Sequence, residues 1–355
     1  MKITVIGAGN GGQAMAAHLS MLGHEVTLHT RNEVKAKVLR AIGGIRLVGR
    51  INGTGYVSRY TSDMAEAVTG AEIIMITTVA NAHRDVALKM APYLSDGQIV
   101  VLNPGRTGGA FEFRRALDDC RFSRRIFLVE AQTLVYACRI IEDGLVNIVG
   151  VKENVLAAAL PAADTDEALN RIREIFPCFH PAHNVLETSL ENIGAVFHPS
   201  IILFNAAAIE RGEKFYFYRD ITQGVVRFIE RLDAERLAIG RAYGLTLTSA
   251  RDWVSMAYDH IMGDTLRERM FNNPAYYDIT APTTLRCRQL LEDIPTGFVP
   301  MLEFGRLAGV ETPLMESLLP ICSTLLDEDF RTTGRTLEKM GLGGMSFETL
   351  LNKVK

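Results

Sequence analysis

The sequence has few cysteines, a single tryptophan and no long apolar run. Its five cysteines are widely spaced, and no two of them form a CxxC pair. An odd number of separated thiols argues against a disulfide framework and a zinc site, and it is typical of proteins in a reducing compartment. No apolar run reaches the ~18–20 residues that a membrane-spanning helix needs. We therefore expect a cytoplasmic protein that has no bound metal and no membrane anchor.

The chain also lacks an excess of either charge. Lys and Arg number 38 against 41 Asp and Glu, which leaves a net charge of −3 on 355 residues. Such a balance offers no general attraction to nucleic acid or to anionic membranes. The first residues, MKITVIG, lead at once into an apolar run, so we expect a core strand there and no cleaved signal peptide. At roughly 150 residues per domain, the length predicts two domains.

The first half of the chain alternates short apolar runs with amphipathic stretches, which is typical of βαβ units around a parallel sheet. Strands are predicted at residues 2–6, 25–29, 72–77, 98–102, 126–130 and 144–151. Helices are predicted at residues 11–22, 33–41 and 81–93, with a short one from Met64. Asp63 is expected to cap that short helix, with Glu66 completing a capping box. The pair Asn52-Gly53 predicts a β-hairpin within residues 45–57.

From residue 186 onward, apolar residues recur at helical spacing and the strand signal fades. Helices are predicted at residues 225–242, 249–262, 312–326 and 335–340, with Pro313 at a first helical position. The stretch 186–209 also has a helical pattern. We place the domain boundary in residues 181–184. The fold class is therefore an α/β N-terminal domain, residues 1–182, followed by an all-α C-terminal domain, residues 183–355.

The strongest local motif is GAGNGG, which begins at Gly7 and lies between a predicted strand and a predicted helix. In this GxGxxG pattern, Gly7 permits a tight turn and Gly9 lets a pyrophosphate approach the backbone. Gly12 allows close contact between helix and strand. The N–H groups that open the helix, including those of Asn10 and Gly11, would receive the phosphate charge. We therefore predict dinucleotide binding in a Rossmann-type domain, in preference to a simple glycine-rich turn.

The end of the second predicted strand should lie beside the adenosine ribose. An acidic residue there would bind the ribose 2′-hydroxyl, whereas an arginine would favour a 2′-phosphate. The sequence reads HTRN from His29, without an acid. We predict a preference for NADP over NAD, with Thr30 and Arg31 at the phosphate. In the alternative interpretation, Arg31 stacks on the adenine and both cofactors bind.

Two later segments follow predicted strands and should line the nucleotide crevice. They are TTVA from Thr77 and NPGRTGG from Asn103. We expect Thr78, Asn103 and Gly105 to contact the cofactor, with Asn103 near the nicotinamide ribose. An ordinary βα loop with no ligand contact is the alternative.

A nicotinamide cofactor supplies hydride, so the protein must add a proton donor, a substrate anchor and exclusion of water. Among the eight histidines, His198 is distinctive because it precedes Pro199 inside the helix-like stretch 186–209. Pro199 cannot donate to the Ala195 carbonyl and biases His198 away from helical geometry. A break there would turn the imidazole out of the helical face. Spacing alone leaves a catalytic histidine and a helix-kink histidine open. For the other seven we expect no catalytic role; His260, for example, has no recognisable partner.

Four sequence blocks in order resemble the opine dehydrogenases of the octopine/nopaline type. They are GAGNGG, LNPGRTGGAFEFR from Leu102, ENIGAVFHP from Glu191 and RCRQLLEDIPTGFVP from Arg286, and the tail GRTLEKMGLGG from Gly334 also fits. The resemblance spans nearly the whole chain. It implies an N-terminal Rossmann domain, a helical C-terminal domain and an active site in the cleft between them.

By that resemblance, His198 is the catalytic histidine, Asp293 is its carboxylate partner and Arg288 binds a substrate carboxylate. An aspartate fixes the tautomer of a paired imidazole, and an arginine fork binds carboxylates in bidentate fashion. The structural alternatives are a carboxylate that caps a loop and an arginine paired at the surface. Gln132 and Thr133 lie in another matching segment and are predicted substrate contacts.

The reaction that the resemblance implies is reductive condensation of an L-amino acid with a 2-oxo acid such as pyruvate, through an imine reduced by hydride. Thr30-Arg31 replace the acid of NAD-type members, which puts NAD in question and leaves the fold intact. One alternative is a ketopantoate-reductase-like enzyme that reduces a 2-oxo acid without an amine. Another is a non-catalytic NADP-binding sensor. The expected partners are the two small-molecule substrates, and a homodimer is left open.

Overall fold

The computed structural model describes residues 1–257 and 261–355. His260 and part of the predicted helix 249–262 lie outside the described residues. The chain divides into two compact units. The first unit comprises Met1–Gly105, Gly109–Thr188 and Val354–Lys355, and the second comprises Arg106–Gly108 and Ser189–Lys353.

The strands of the first unit belong to two sheets. They are β1 Lys2–Ile6, β2 Glu25–His29, β3 Ile45–Gly49, β4 Gly53–Gly55, β5 Arg59–Thr61, β6 Ile73–Ile76, β7 Ile99–Leu102, β8 Phe127–Ala131, β9 Tyr136–Glu142, β10 Leu145–Val151, β11 Val155–Ala159 and β12 Phe179–Pro181. The larger sheet has eight strands in the order β12-β11-β8-β7-β6-β1-β2-β5. All its strand pairs are parallel except β8–β11. β6 and β7 are continuous apolar runs because both faces of a parallel sheet are buried.

The helices of the first unit connect these strands. They are α1 Asn10–Met21, α2 Glu33–Ile42, α3 Met64–Val68, α4 His83–Met90, α5 Gly109–Asp119 and α6 Thr165–Ile172. Short 3₁₀ turns lie at Ala80–Ala82 and Ala162–Asp164. From β1 the chain moves outward to β2 and β5, then returns to β6 on the other side of β1. This reversal of direction makes the carboxyl ends of β1 and β6 the expected ligand crevice.

The predicted hairpin in residues 45–57 is confirmed, since β3 pairs with β4 in antiparallel fashion. The predicted strand at 144–151 is confirmed as β10, which lies beside β3 in the order β4-β3-β10-β9. The predicted cap is also confirmed, because Asp63 accepts the Ala65 and Glu66 N–H groups. The capping box is wrong. The Glu66 carboxylate instead accepts the Thr61 hydroxyl and pairs with Arg59, and the Asp63 N–H donates to the Thr61 hydroxyl oxygen.

The second unit is helical within its described residues, where the only β contact outside named strands is the bridge Tyr216–Thr280. α7 Val185–Leu190 leads from the first unit into the second. The helices that follow are α8 Gly194–Leu203, α9 Ala206–Glu210, α10 Gln223–Ala242, α11 Ala250–Ala257, α12 Leu266–Phe271, α13 Arg288–Leu291, α14 Val299–Leu307, α15 Pro313–Leu326, α16 Phe330–Thr333 and α17 Phe347–Lys353. A 3₁₀ turn at Pro274–Tyr276 and a π-helix at Ile294–Phe298 complete the unit. The predicted fold class is confirmed.

Local signals explain α10 and α15. The Thr222 hydroxyl caps α10 by accepting the Val225 N–H, and apolar residues at helical spacing point into the core. Pro313 occupies the first turn of α15 as predicted. The predicted helix at residues 335–340 is wrong, since this segment forms turns. Arg335 explains the difference because its N–H donates to the Pro295 carbonyl and its guanidinium to the Thr107 carbonyl. No helix among the described residues has both the length and the apolar character to cross a membrane.

Candidate active site

The glycine motif of the first unit forms a tight turn between β1 and α1. Gly7 has a φ of +109°, which favours glycine. A Cβ on Gly12 would lie 1.6 Å from the Gly7 carbonyl oxygen, so no larger residue fits there. A Cβ on Gly9 would have no neighbour within 4 Å, so this face of the turn is open. The turn therefore fits a pyrophosphate at the start of α1.

Asn10 and Gly11 begin α1, and both also pack against other parts of the first unit. The Asn10 carboxamide oxygen accepts the Ile140 N–H at 2.9 Å. A Cβ on Gly11 would lie 2.8 Å from a Leu134 methyl group. Their predicted contact with the cofactor would therefore come from the backbone N–H groups.

The end of β2 carries the residues predicted to lie at the adenosine ribose. Thr30 is buried and its hydroxyl accepts the Asn32 N–H at 3.4 Å. The Asn32 side chain caps α2 by accepting the Lys35 N–H at 3.1 Å. Arg31 is exposed and makes no ion pair with any described residue. Its guanidinium is therefore available to an anionic ligand.

The ends of β6 and β7 are adjacent, because Ile76 is paired with Leu102. Asn103 follows β7 and is fully buried, and neither polar atom of its carboxamide has a partner among the described residues. The Thr78 hydroxyl, after β6, is likewise buried and unpartnered there. Unpaired buried polar groups are costly, so a polar ligand at this edge would satisfy them. Gly105 has a packing role, since a Cβ would lie 2.4 Å from the Glu130 Cγ.

Gln132 and Thr133 follow β8 in the first unit. The Gln132 carboxamide oxygen accepts the Leu156 N–H at 3.1 Å, which fixes the side chain against β11. Its Nε2 is buried and has no partner among the described residues. Thr133 is partly exposed. The Gln132 Nε2 group therefore remains as a donor for a ligand, whereas the carboxamide oxygen is already bonded to the Leu156 N–H.

The second unit brings together two residues that are distant in sequence, His198 and Asp293. His198 Nδ1 lies 2.5 Å from Asp293 Oδ2, and His198 Nε2 lies 2.8 Å from the Tyr218 hydroxyl. The His198 side chain is 15% exposed and that of Asp293 is 1% exposed. An aspartate at Nδ1 favours the tautomer that carries its hydrogen on Nδ1, so Nε2 is the acceptor for the Tyr218 hydroxyl.

Small residues allow the approach of His198 to Asp293. Asp293 precedes the π-helix Ile294–Phe298, a rare element that is frequent at functional sites. A Cβ on Gly297 would lie 2.6 Å from the Ala195 Cβ on α8, so glycine permits this close packing. The predicted helix break at Pro199 is wrong, because α8 continues through it. Burial of most of α8 offsets the single missing hydrogen bond.

Arg106 is a member of this cluster that the sequence did not single out. Its Nη1 lies 3.5 Å from Asp293 Oδ1 and 3.2 Å from the Asn192 carboxamide oxygen. Its Nη2 lies 3.5 Å from Glu292 Oε2. Sequence analysis assigned the surrounding NPGRTGG segment to the cofactor crevice, but residues 106–108 pack with the second unit. Tyr218 was also missed as a site residue, since it had no recognisable motif.

The charges of this cluster keep Asp293 ionised. Burial raises the pKa of Asp293, but the positive charges of Arg106 and His198 and the hydrogen bond from His198 lower it by more. Burial lowers the pKa of Arg106, and the carboxylates of Asp293 and Glu292 raise it above its usual value. The pair is therefore a carboxylate and a guanidinium.

Arg288 lies at the edge of the cluster. Its side chain is 57% exposed, and its Nη1 lies 2.6 Å from Glu292 Oε2. The buried Glu292 carboxylate thus contacts both Arg106 and Arg288. Most of the Arg288 guanidinium faces solvent, so it can bind a second carboxylate by donating hydrogen bonds to it.

Comparison with known proteins identifies the family. The chain is 39% identical over 344 residues to an opine dehydrogenase from Arthrobacter sp. (strain 1C), and the alignment covers 96% of this chain and 95% of that protein. The chain belongs to the opine dehydrogenases. The family model described as NAD/NADP octopine/nopaline dehydrogenase, alpha-helical domain, matches residues 181–326. A model of the N-terminus of NAD-dependent glycerol-3-phosphate dehydrogenase matches residues 2–104.

Solved structures show the same fold. An octopine dehydrogenase with NADH and L-arginine has a TM-score of 0.84 at 22% identity, covering 100% of this chain and 98% of that one. A yersinopine dehydrogenase with NADP⁺ has a TM-score of 0.74 at 13% identity, covering 96% of this chain and 97% of that one.

The expected family and enzyme class are confirmed. As an opine dehydrogenase, the protein is an NAD(P)-dependent oxidoreductase that acts on CH–NH bonds. It catalyses reductive condensation of an amino acid with a 2-oxo acid.

Proposed function

We propose that His198 is the acid–base residue of the opine dehydrogenase reaction, that Asp293 orients it, and that Arg288 binds a substrate carboxylate. The observation that supports this proposal is the position of the His198 ring, with Asp293 at Nδ1 and the Tyr218 hydroxyl at Nε2. The carboxylate orients the ring, which suits a general acid–base catalyst, and Nε2 is in hydrogen-bond contact with a hydroxyl group.

The overall reaction consumes one amine, one 2-oxo acid, one reduced nicotinamide and one proton, and yields the opine, water and the oxidised cofactor. The bound cofactor supplies the hydride that reduces the imine carbon. His198 in its protonated form donates a proton from Nε2 as the imine is reduced. In opine oxidation the neutral ring accepts the proton back. The Asp293 carboxylate stabilises the imidazolium throughout and is not itself protonated.

Arg288 suits a substrate carboxylate because its fork is exposed on one side and held by Glu292 on the other. Both substrates carry carboxylates, and pyruvate is the simplest 2-oxo acid that fits. An octopine dehydrogenase of this fold has been solved with NADH and pyruvate. Gln132 and Thr133 are proposed as further substrate contacts, through the free Gln132 Nε2 and the Thr133 hydroxyl.

NADP is proposed as the preferred cofactor. Arg31 is exposed without an ion pair among the described residues, and residues 30–32 include no acid that would repel a 2′-phosphate. Gly7, Gly9 and Gly12 would cradle the pyrophosphate, while Thr78 and Asn103 would face the rest of the dinucleotide. A clear preference for NADH in the ratio of kcat/KM values would contradict this assignment.

The decisive experiment compares His198→Ala with the wild type in a screen of amino acids and 2-oxo acids, following loss of NADPH. We expect turnover to fall by roughly 10²–10⁴ in the variant. Near-normal turnover would remove His198 from the mechanism. Omitting the amine tests the ketopantoate-reductase-like alternative, which predicts undiminished NADPH oxidation. Tight NADPH binding without turnover of any pair would favour a sensor.

A cytoplasmic location and a homodimer complete the proposal. All five cysteines are free thiols, as is usual in a reducing compartment. Cell fractionation tests the location, and light scattering of the purified protein tests the dimer.

A further inference from the structure

Arg106 has a backbone conformation that needs support from its surroundings. Its φ is +61°, in the left-handed region that non-glycine residues rarely adopt. The next two residues are tied to the rest of the second unit by hydrogen bonds, one of them from the Asn192 carboxamide to the Thr107 hydroxyl oxygen. Thr107 N–H donates to the Thr296 carbonyl, the Thr107 hydroxyl to the Ser189 carbonyl, Gly108 N–H to the Ser189 hydroxyl, and the Arg335 guanidinium to the Thr107 carbonyl. Strained residues held in this way cluster at functional sites.

The side chain of Arg106 is only 14% exposed, and two of the three oxygens that its guanidinium contacts belong to carboxylates, each at 3.5 Å. Its contact with Asp293 Oδ1 at 3.5 Å is an ion pair without an aligned hydrogen bond, and its buried Nε has no partner among the described residues. If the arginine served only to satisfy hydrogen bonds, this would be a poor arrangement. Its position instead suits an electrostatic role.

The guanidinium also lies close to the imidazole. A Cβ on Gly194 would lie 2.9 Å from Arg106 Nη1 and 3.4 Å from His198 Cε1, so the two groups border the same small space. Arg106 therefore lies beside both members of the His198–Asp293 pair. Glycine at position 194 leaves this space without a side chain.

The charged and titratable groups around Asp293 come from several elements. They are Arg106 from the loop after β7, His198 from α8, Tyr218 from the segment after α9, and Arg288, Cys287 and Glu292 around α13. Arg288 is mostly exposed, so solvent screens its charge. Arg106 is thus the buried permanent positive charge among them.

We propose that Arg106 is a positioning residue that sets the protonation equilibrium of the His198–Asp293 pair through its buried charge. This inference rests on the acid–base role proposed above for His198. Removing a buried positive charge beside the pair favours its protonated state, so the pH profile of the reaction should move upward.

The test measures the pH dependence of opine oxidation, which requires neutral His198, in purified full-length enzyme with NADP⁺. For Arg106→Gln we expect the midpoint of the rising limb to move upward by about 1 pH unit or more, since a charge within 4–6 Å shifts a pKa by roughly 1–3 units. Arg106→Lys keeps the charge and should restore the midpoint near the wild-type value, even where turnover is reduced.

Glu292→Gln provides a second, independent test, in which the midpoint of the pH profile is expected to move in the opposite direction. It removes a negative charge beside Arg106, so the midpoint should move downward, and the near-identical size of glutamine favours folding. Arg236→Gln is the matched control, because Arg236 is a fully buried arginine in the same unit, paired with Asp233 at 2.7 Å. It should lower thermal stability without shifting the midpoint.

An unchanged midpoint in both Arg106→Gln and Glu292→Gln, with only reduced turnover, would overturn the inference and make Arg106 merely structural. If Arg106→Gln does not fold, a midpoint that fails to move downward in Glu292→Gln overturns it alone. Failure of the proposed function has a different signature. In that case His198→Ala itself would retain turnover, whereas an inactive His198→Ala with unmoved midpoints would reject only the role of Arg106.

Discussion

Replacing Asp293 with asparagine removes the charge that faces His198 Nδ1 while hardly changing the size of the side chain. In the wild type, Asp293 Oδ2 lies 2.5 Å from Nδ1 in a site where the Asp293 side chain is 1% exposed. A pair of unit charges about 4 Å apart at an effective dielectric constant near 20 interacts by about 4 kcal/mol. At about 1.4 kcal/mol per factor of ten, this corresponds to about three orders of magnitude.

We therefore expect kcat of Asp293→Asn to fall by about 10³, with a smaller change in KM, because the imidazolium loses its stabilising partner in the transition state. The amide N–H₂ can also force Nδ1 to act as an acceptor, which selects the wrong tautomer. Steady-state loss of NADPH, with saturating amino acid and 2-oxo acid, measures the change. Fluorescence titration with NADPH shows whether cofactor binding is intact.

The matched control is Asp118→Asn, which removes an exposed carboxylate paired with Arg114 on α5. Its kcat should equal that of the wild type. The reasoning is refuted if Asp293→Asn is folded, binds NADPH and stays within about tenfold of the wild-type kcat, because general acid–base contributions are typically 10²–10⁴.

Three further predictions concern the proton path, the cofactor and acid stability. Tyr218→Phe removes the hydroxyl at His198 Nε2 and should lower kcat by about tenfold. The melting temperature should fall by no more than a few degrees, which thermal melts would check alongside the kinetics. An unchanged kcat would exclude the Tyr218 hydroxyl from the proton path. Gly9→Ala should fold normally because a Cβ there has no neighbour within 4 Å, yet it should weaken NADPH binding about tenfold or more. Gly12→Ala should weaken binding and also destabilise the first unit. Equal Kd values of NADPH for Gly9→Ala and the wild type would contradict the pyrophosphate site. Burial raises the pKa of Asp293 in the folded protein, but Arg106 and His198 lower it by more. The contribution of Asp293 to the free energy of unfolding is therefore complete above the unfolded pKa near 4 and is lost as pH falls through the folded pKa. Urea unfolding should show a shallower dependence of stability on pH in acid for Asp293→Asn than for the wild type.

The local elements of the first unit were predictable from sequence because their signals lie within a few residues. The GAGNGG turn, the capping of α3 by Asp63 and the β3–β4 hairpin all depend on neighbours in the chain. The four family blocks likewise pointed to His198 and Asp293, although these residues are 95 positions apart. Hydrophobic periodicity carried enough information for the fold class.

The role of Arg106 depended on packing between distant segments, which no local pattern records. Arg106 meets Glu292 across 186 positions, and its loop reads as an ordinary strand-to-helix connection. The same reason explains the failed helix at 335–340, where bonds from Arg335 to Pro295 and Thr107 outweigh helical propensity. Propensities of a few tenths of a kcal/mol per residue lose to such buried tertiary contacts. Periodicity and motif spacing are properties of neighbouring residues, whereas the buried charge beside His198 exists only once the helices have packed.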